Sequence, residues 1–304
     1  MKKLLRLGLI LIVLGVIYLY KDDLVRVYNK YVVKKVQDVK LDSKNEFNRN
    51  YSFNYVQLTD NFVPHSKQDI YNIYYTAINA GKSKFTFYCP DEYKDCLNEV
   101  KYLAKDQVTL SNINNFVHPF NGFKHIETTY DSNGKVTFTL THTYSDSDLE
   151  AVREKINAME STLKDDKLSV KDQIKVYHDY IIDHTVYDSE RSDKNEINYK
   201  SDTAYGTLLQ GYSLCGGYTD SMAIILNDMG LENYKISSED HIWNAVKIDG
   251  VWYNLDLTWD DPVTDDGTNV IEHNFFLVDT NTLLNEEKEE HNFDQNVYSE
   301  LKAN

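Results

Sequence analysis

Apolar residues run from Leu4 to Tyr20 with Arg6 the only charge, and then recur at helical spacing at Leu24, Val27, Tyr28, Tyr31 and Val32. Beyond that the chain breaks into shorter periodic segments. As a helix, the first run would span roughly 25 Å, slightly short of a bilayer core of ~30 Å. Lys2, Lys3, Arg6 and Lys21 can reach the headgroups and make up the difference. Basic residues before the run and Asp22 and Asp23 after it predict an N-terminus inside the cell and a chain outside it. A secretory signal peptide is the competing reading, but no small-x-small cleavage site follows and no cysteine is present for lipid attachment. Either way the remainder is exported. The expected layout is a transmembrane anchor over 1–21 and a juxtamembrane stalk and linker over 22–52. The helix is expected to continue to about Lys35, and the aperiodic polar stretch Lys40 to Tyr51 to act as the linker.

Residues 53–165 predict a small α+β domain. Gln68 to Ala80 has helical spacing closed by Gly81. Lys84 to Tyr88 alternates like a strand, and Pro90-Asp91-Glu92 signals a helix to about Ala104. Phe123 to Tyr130 and Lys135 to Tyr144 flank Asp131-Ser132-Asn133-Gly134, a hairpin signal, and Ser147-Asp148-Leu149-Glu150 opens another helix. No spacing here matches a catalytic or metal site, so a substrate-binding or spacer role is expected. A second domain, 166–304, starts at the capping box Ser169-Val170-Lys171-Asp172 and a helix through Ile174, Tyr177 and Ile181 to His184.

Composition narrows the partners. The 304 residues are 41% hydrophobic and 26% charged, as expected of a folded protein rather than a disordered one. A formal charge of −16 disfavours nucleic acid and anionic lipid, which need basic clusters. The charge itself names no substrate, peptide or protein included, and the membrane is reached only through the N-terminal helix. There is no HExxH, paired CxxC, P-loop or GxGxxG, so no metal, nucleotide or redox cofactor is implied. The carboxylates of Thr258-Trp259-Asp260-Asp261-Pro262 and Asp265-Asp266-Gly267 lack calcium-loop spacing and read as a solvated acidic loop.

Three cysteines are present. Cys89 ends a predicted strand and Cys96 follows in the next helix, an arrangement compatible with a local disulfide outside the cell. That leaves Cys215 as the odd thiol: either a buried small hydrophobe or a reactive group. Its neighbours favour reactivity. Cys215 lies in Tyr212-Ser213-Leu214-Cys215-Gly216-Gly217-Tyr218, just before the apolar run Ser221 to Met229. A helix start favours thiolate over thiol, and the glycines allow close approach of backbone or substrate. Downstream, Asp249-Gly250 is a two-residue hairpin turn that pairs Ile248 with Val251, Val246 with Tyr253 and Trp243 with Asp256. One face then carries Ile242, Asn244, Val246, Ile248, Val251, Tyr253, Leu255 and Leu257 and is core. The other carries His241, Trp243, Ala245, Trp252, Asn254, Asp256 and Thr258. His241 and Asp256 thereby share a face at a diagonal offset of ~7–8 Å, within side-chain reach. A carboxylate there would orient the imidazole, and the imidazole would keep Cys215 ionised. Trp243 and Trp252, on the same face, are candidates to line a substrate cleft.

The segments Cys-Gly-Gly-Tyr, His-Ile-Trp-Asn and Asp-Gly-Val-Trp-Tyr-Asn-Leu-Asp-Leu-Thr-Trp-Asp-Asp-Pro, in that order, resemble the transglutaminase-like superfamily, in particular its secreted or membrane-anchored bacterial members. The resemblance covers about Leu168 to Asp279, including Val186-Tyr187-Asp188 and Phe275-Phe276-Leu277-Val278. Ile242 departs from the small residue that often follows the histidine. The resemblance implies an α+β fold: a papain-like, transglutaminase-like core, here preceded by the small α+β domain and the N-terminal transmembrane helix. It implies Cys215 as nucleophile, His241 as base and Asp256 as its orienter, with acyl chemistry on peptide or side-chain amides through a thioester. Water as acceptor would make a peptidase or amidase, which the resemblance to bacterial surface proteins favours. A lysine amine would make a cross-linking enzyme. The backbone N–H of Cys215 is one oxyanion donor, and Tyr205, Gln210 or Tyr212 could supply the second, Tyr205 foremost. The alternative from another class is a non-catalytic module that binds a peptide or glycan in the same cleft.

Overall fold

Capping residues account for most helix starts. In the computed structural model, which describes residues 14–28, 39–194, 196–264, 268 and 270–302, Ser66, Ser145 and Ser169 each accept a backbone N–H three residues on. They open α1 (Lys67–Asn79), α4 (Asp146–Leu163) and α5 (Val170–Asp183). Gly81, at φ 74°, closes α1 as expected. The predicted helix from Pro90 begins only at Cys96, as α2 (Cys96–Leu103), because the preceding residues form turns. A further helix, α3 (Gln107–Asn115), capped by Asp106, was not expected.

Strands β1 (Lys84–Tyr88), β2 (Phe123–Tyr130) and β3 (Lys135–His142) form an antiparallel sheet in the order β1-β3-β2. The short strands β4 (Val186–Tyr187) and β5 (Tyr212–Ser213) pair in parallel just before α6 (Cys215–Asp228). The third sheet holds β6 (Asn233–Ser237), β7 (Ile242–Ile248) and β8 (Val251–Leu255) in sequential order. Asp249 and Gly250 take φ of 51° and 82°, the backbone a primed hairpin turn needs. The Ile248–Val251 and Val246–Tyr253 pairs form as predicted. α7 (Thr280–Glu286) follows near the C-terminus.

This third sheet is covered on both faces. Tyr234, Ile236, Trp243 and Ala245 join one core with Phe53, Tyr75, Phe116 and Tyr298. Val246, Ile248, Leu255 and Leu257 join another with Ile156, Tyr177 and Met222. Both cores therefore draw residues from each side of the predicted 165/166 boundary. The expected second face of the β7–β8 hairpin is corrected accordingly: Trp243, Ala245 and Asn254 are fully buried, because the first core and C-terminal residues such as Thr280, His291 and Phe293 pack onto them.

The expected linker is likewise structural at its end. Arg49 is buried, and its guanidinium donates to Phe116 O (2.9 Å), Asn233 O (3.0 Å), Asn233 Oδ1 (3.1 Å) and Asn227 Oδ1 (3.1 Å). Its backbone is held by Asn79. A buried guanidinium is tolerated only when its donors are satisfied, so this strap ties the two halves together.

The predicted anchor Leu4 to Tyr20 lies largely outside the described residues, as does the predicted stalk from residue 29 to about Lys35. Among the described residues no helix is long and apolar enough to cross a membrane. A short helix, Lys21–Tyr28, is present.

Candidate active site

α6 starts six residues before its apolar run, so Cys215 is its first residue, with Leu214 as an extended N-cap. The Leu214 carbonyl takes the N–H groups of Gly217 (2.9 Å) and Tyr218 (3.2 Å), and Leu214 N–H donates to Ser201 O (2.9 Å). The N–H groups of Cys215 and Gly216 have no partner among the described residues, as expected of a first helical turn. The glycines allow close approach to the protein's own backbone rather than to open space. A Cβ on Gly217 would lie 2.3 Å from Ser201 O, and one on Gly216 would lie 3.0 Å from Asp202 O. That close packing seats the helix start against the segment 201–202.

His241 is brought to the sulfur by bonds between α6 and β7. Thr219 Oγ1 donates to Ile242 O (2.9 Å), and Asn244 Nδ2 donates to Thr219 O (3.0 Å). Ser238 clasps the His241 backbone from both sides: its N–H donates to His241 O (3.0 Å) and its hydroxyl accepts the His241 N–H (3.1 Å). The imidazole stacks on Trp243 at 5.7 Å and 15°. Its Nε2 lies 2.5 Å from Asp256 Oδ2, and the ring lines the same groove as Cys215. With Nε2 occupied, Nδ1 is the nitrogen left for the sulfur.

Asp256 ends β8 because its side chain turns back on the chain. Oδ1 accepts the N–H groups of Thr258 (2.9 Å) and Trp259 (3.3 Å), while its own N–H donates to Phe275 O (3.1 Å). Oδ2 receives two imidazoles: His241, and His291 at 2.9 Å. His291 was not singled out in the sequence; its other nitrogen lies 2.9 Å from Glu287 Oε2. Burial opposes charge on Asp256, yet His241 and His291 hold its carboxyl well below the usual range. Burial likewise opposes charge on His241, but the Asp256 carboxylate and the Cys215 sulfur outweigh it and push the imidazole up to about 10. The resting site is thus an ion-paired one with Asp256 anionic and His241 cationic.

A groove of about 530 Å³ opens over this pair. One wall is α3, through Gln107, Ser111 and Asn112, and the other is the loop carrying Glu239 and Asp240, both exposed. Lys235 lines the groove beside Cys215 and pairs with Asp220 at 2.8 Å.

Other expected site residues fall elsewhere. Trp243, with no exposed surface, donates Nε1 to Asn254 Oδ1 (3.0 Å) and supports the His241 ring rather than lining a cleft. Trp252 packs on Phe53 and Tyr234 in the first core. Tyr205 packs against the second core, its ring under Lys200 Nζ at 4.5 Å. Cys89 and Cys96 are joined in a disulfide with a Cα–Cα distance of 5.7 Å, and Cys215 is free.

The acidic loop is corrected in part. Asp260 is fully buried: its Oδ1 accepts Phe275 N–H (2.9 Å) and its Oδ2 faces His178 Nε2 (3.1 Å). Asp261 accepts the Tyr218 hydroxyl and is pushed up to about 6 by burial. Asp265, Asp266 and Gly267 lie outside the described residues.

Among the described residues, two His–carboxylate groups have ligand atoms close enough to consider a metal: His178, Asp179 and His273, and His241, Asp256 and His291. In the first, Asp179 already takes His178 (2.9 Å) and His273 (2.7 Å) on one oxygen and Lys175 on the other. In the second, the 2.5 and 2.9 Å separations on a single oxygen are hydrogen-bond distances. They are too short for two ligands spread around one ion at ~2 Å. Protons, not a cation, fit both clusters.

No family model and no curated protein matches the chain. Two solved structures follow part of its path. One is a transglutaminase (TGase), 17% identical over 45% of this chain and 44% of that one, with a TM-score of 0.32. The other is a candidate cysteine protease from Cytophaga hutchinsonii, 10% identical over 48% and 65%, with a TM-score of 0.29. The chain thus spans less than two thirds of the length of either. Neither likeness carries the functional reading, which comes from the site's own geometry.

Proposed function

We propose that this protein is a transglutaminase-like cysteine enzyme of the bacterial cell surface, acting on peptide or side-chain amides with Cys215 as nucleophile, His241 as acid–base group and Asp256 as its orienter. The observation that supports it is that Cys215 and His241 line one open groove, with the imidazole held 2.5 Å from the buried Asp256 carboxylate. The Cys215 thiolate attacks the carbonyl carbon, forming the C–S bond. The developing oxyanion is met by the unpaired N–H groups of the first turn of α6. The C–N bond then breaks as His241 gives its proton to the leaving amine, which leaves a thioester on Cys215. Thiolate consumption drives that transfer, because Cys215 is part of what holds the proton on His241. Water, deprotonated by His241, resolves the thioester in the hydrolytic version, which we favour. An amine resolves it in the cross-linking version, and the exposed Glu239 and Asp240 on the groove wall would attract such a cation. The predicted anchor Leu4 to Tyr20 and the Cys89–Cys96 disulfide support a location outside the cell, facing an oxidising compartment.

An activated ester, p-nitrophenyl acetate, tests both steps. Mass spectrometry should find acetyl on Cys215 in the wild type, much less in His241→Ala and none in Cys215→Ala. Decay of that adduct in water, compared with added primary amine, separates hydrolysis from transfer. An enzyme that never acylates at Cys215 would leave the groove as a binding site only.

A further inference from the structure

His291 lies outside the three motifs that suggest catalysis, yet its side chain is 0% exposed and bonded to the Asp256 oxygen that His241 uses. Its ring is stacked on Phe275 at 5.3 Å and 13°, and meets Trp243 edge-on at 4.9 Å and 73°. Its position is therefore set by packing. Both ring nitrogens face carboxylate oxygens, Glu287 Oε2 and Asp256 Oδ2, each at 2.9 Å. Both contacts are hydrogen bonds only when both nitrogens carry protons. Polar contacts then run from Glu287 through His291 and Asp256 to His241. The two imidazole centroids are 5.3 Å apart.

We propose that His291, anchored by Glu287, is a positioning residue of this site. It shares Asp256 Oδ2 with His241, keeps that carboxylate ionised and aimed, and by its own charge limits how tightly His241 holds its proton. The proposal rests on the reading of Cys215 and His241 as a catalytic pair. Without a counterweight, a buried imidazole on a carboxylate 2.5 Å away is a poor proton donor to a leaving amine. A second cation on the same oxygen weakens that hold without displacing the carboxylate. The other ionisable groups around the pair act from further out. Asp260 lies behind Asp256, with which it interacts electrostatically. Lys235, Glu239 and Asp240 line the groove on the His241 side.

The test is the pH profile of Cys215 alkylation by iodoacetamide in the full chain, read by mass spectrometry across the neutral-to-alkaline range. Its alkaline inflection marks loss of the His241 proton. His291→Gln keeps a donor to Asp256 but removes the charge, so the inflection should move to higher pH by about two units, the size of a unit charge removed at this separation. His291→Ala loses the donor too, and acylation by the activated ester should fall roughly tenfold or more. Glu287→Gln leaves the His291 ring in place but removes the carboxylate that keeps it charged, so the inflection should move the same way by less, which guards against a folding defect in the His291 variants. An inflection unmoved in both glutamine variants, whatever their thermal stability, overturns the role of His291 and leaves the pair standing. A wild type without an inflection, alkylated identically to His241→Ala, takes down both.

Discussion

Replacing Asp256 with Asn keeps the shape of the side chain and removes the charge that two imidazoles share. The rise of His241 from 6.5 to about 10 corresponds to roughly 5 kcal/mol while the histidine is charged, at about 1.4 kcal/mol per pH unit. Cys215 supplies part of that rise, so the share of Asp256 is about 3–5 kcal/mol, the cost usually seen when one partner of a buried pair is removed. The side chains of His241 and Asp256 are only 3% and 1% exposed, so solvent screens little of it. The sign follows from linkage. His241 holds its proton more tightly when folded, so its contribution is complete below 6.5 and is lost as pH rises through about 10. The depressed Asp256 carboxyl describes the same contact from its partner's side and adds no second sum; its contribution fades only in acid. Urea unfolding of wild type and Asp256→Asn at a series of pH values measures the difference directly. It should be about 3–5 kcal/mol near pH ~6 and narrow by about 1.4 kcal/mol per pH unit towards pH ~10. Groups that ionise equally in both proteins cancel. A difference that stays flat with pH, or widens, refutes the ion pair as its origin.

Gly217→Ala places a methyl 2.3 Å from Ser201 O and 2.5 Å from Thr207 Oγ1. It should destabilise the fold by roughly 2–3 kcal/mol in urea titrations and slow Cys215 alkylation, because the start of α6 must lift. Arg49→Met leaves the carbonyls of Phe116 and Asn233 without their donors. It should lower unfolding free energy by about 3 kcal/mol and raise hydrogen exchange in α3 and β6 together. Replacing both Cys89 and Cys96 with Ser opens a crosslink of sequence separation 7. Chain entropy puts the loss near 2 kcal/mol, measurable as a fall in Tm that reductant reproduces in the wild type.

Local rules explain much of what could be read in advance. Ser169, the Asp249-Gly250 turn and the register it imposes are short-range features, decided by hydrogen bonds and φ angles within a few residues. The same register brought His241 and Asp256 together, and the apolar run after Cys215 marked a helix start. Asp260 and Trp243 were misjudged for one reason. Side-chain alternation tells which residues share a face, but not what covers it. A carboxylate read as solvated became a buried partner of His178, and a tryptophan read as a cleft wall became the support beneath the imidazole.

Turn geometry and spacing were enough to set His241 beside Asp256, and the apolar run after Cys215 was enough to set that thiol at a helix start. Those signals could not supply His291, which follows Asp256 by 35 residues and reaches it through an irregular C-terminal segment. Nor could they show that α3 walls the groove or that Arg49 links the two halves. Those contacts join residues far apart in sequence. They exist only because burying both faces of the β6–β7–β8 sheet stabilises the fold, and no local pattern encodes which distant segment will cover it.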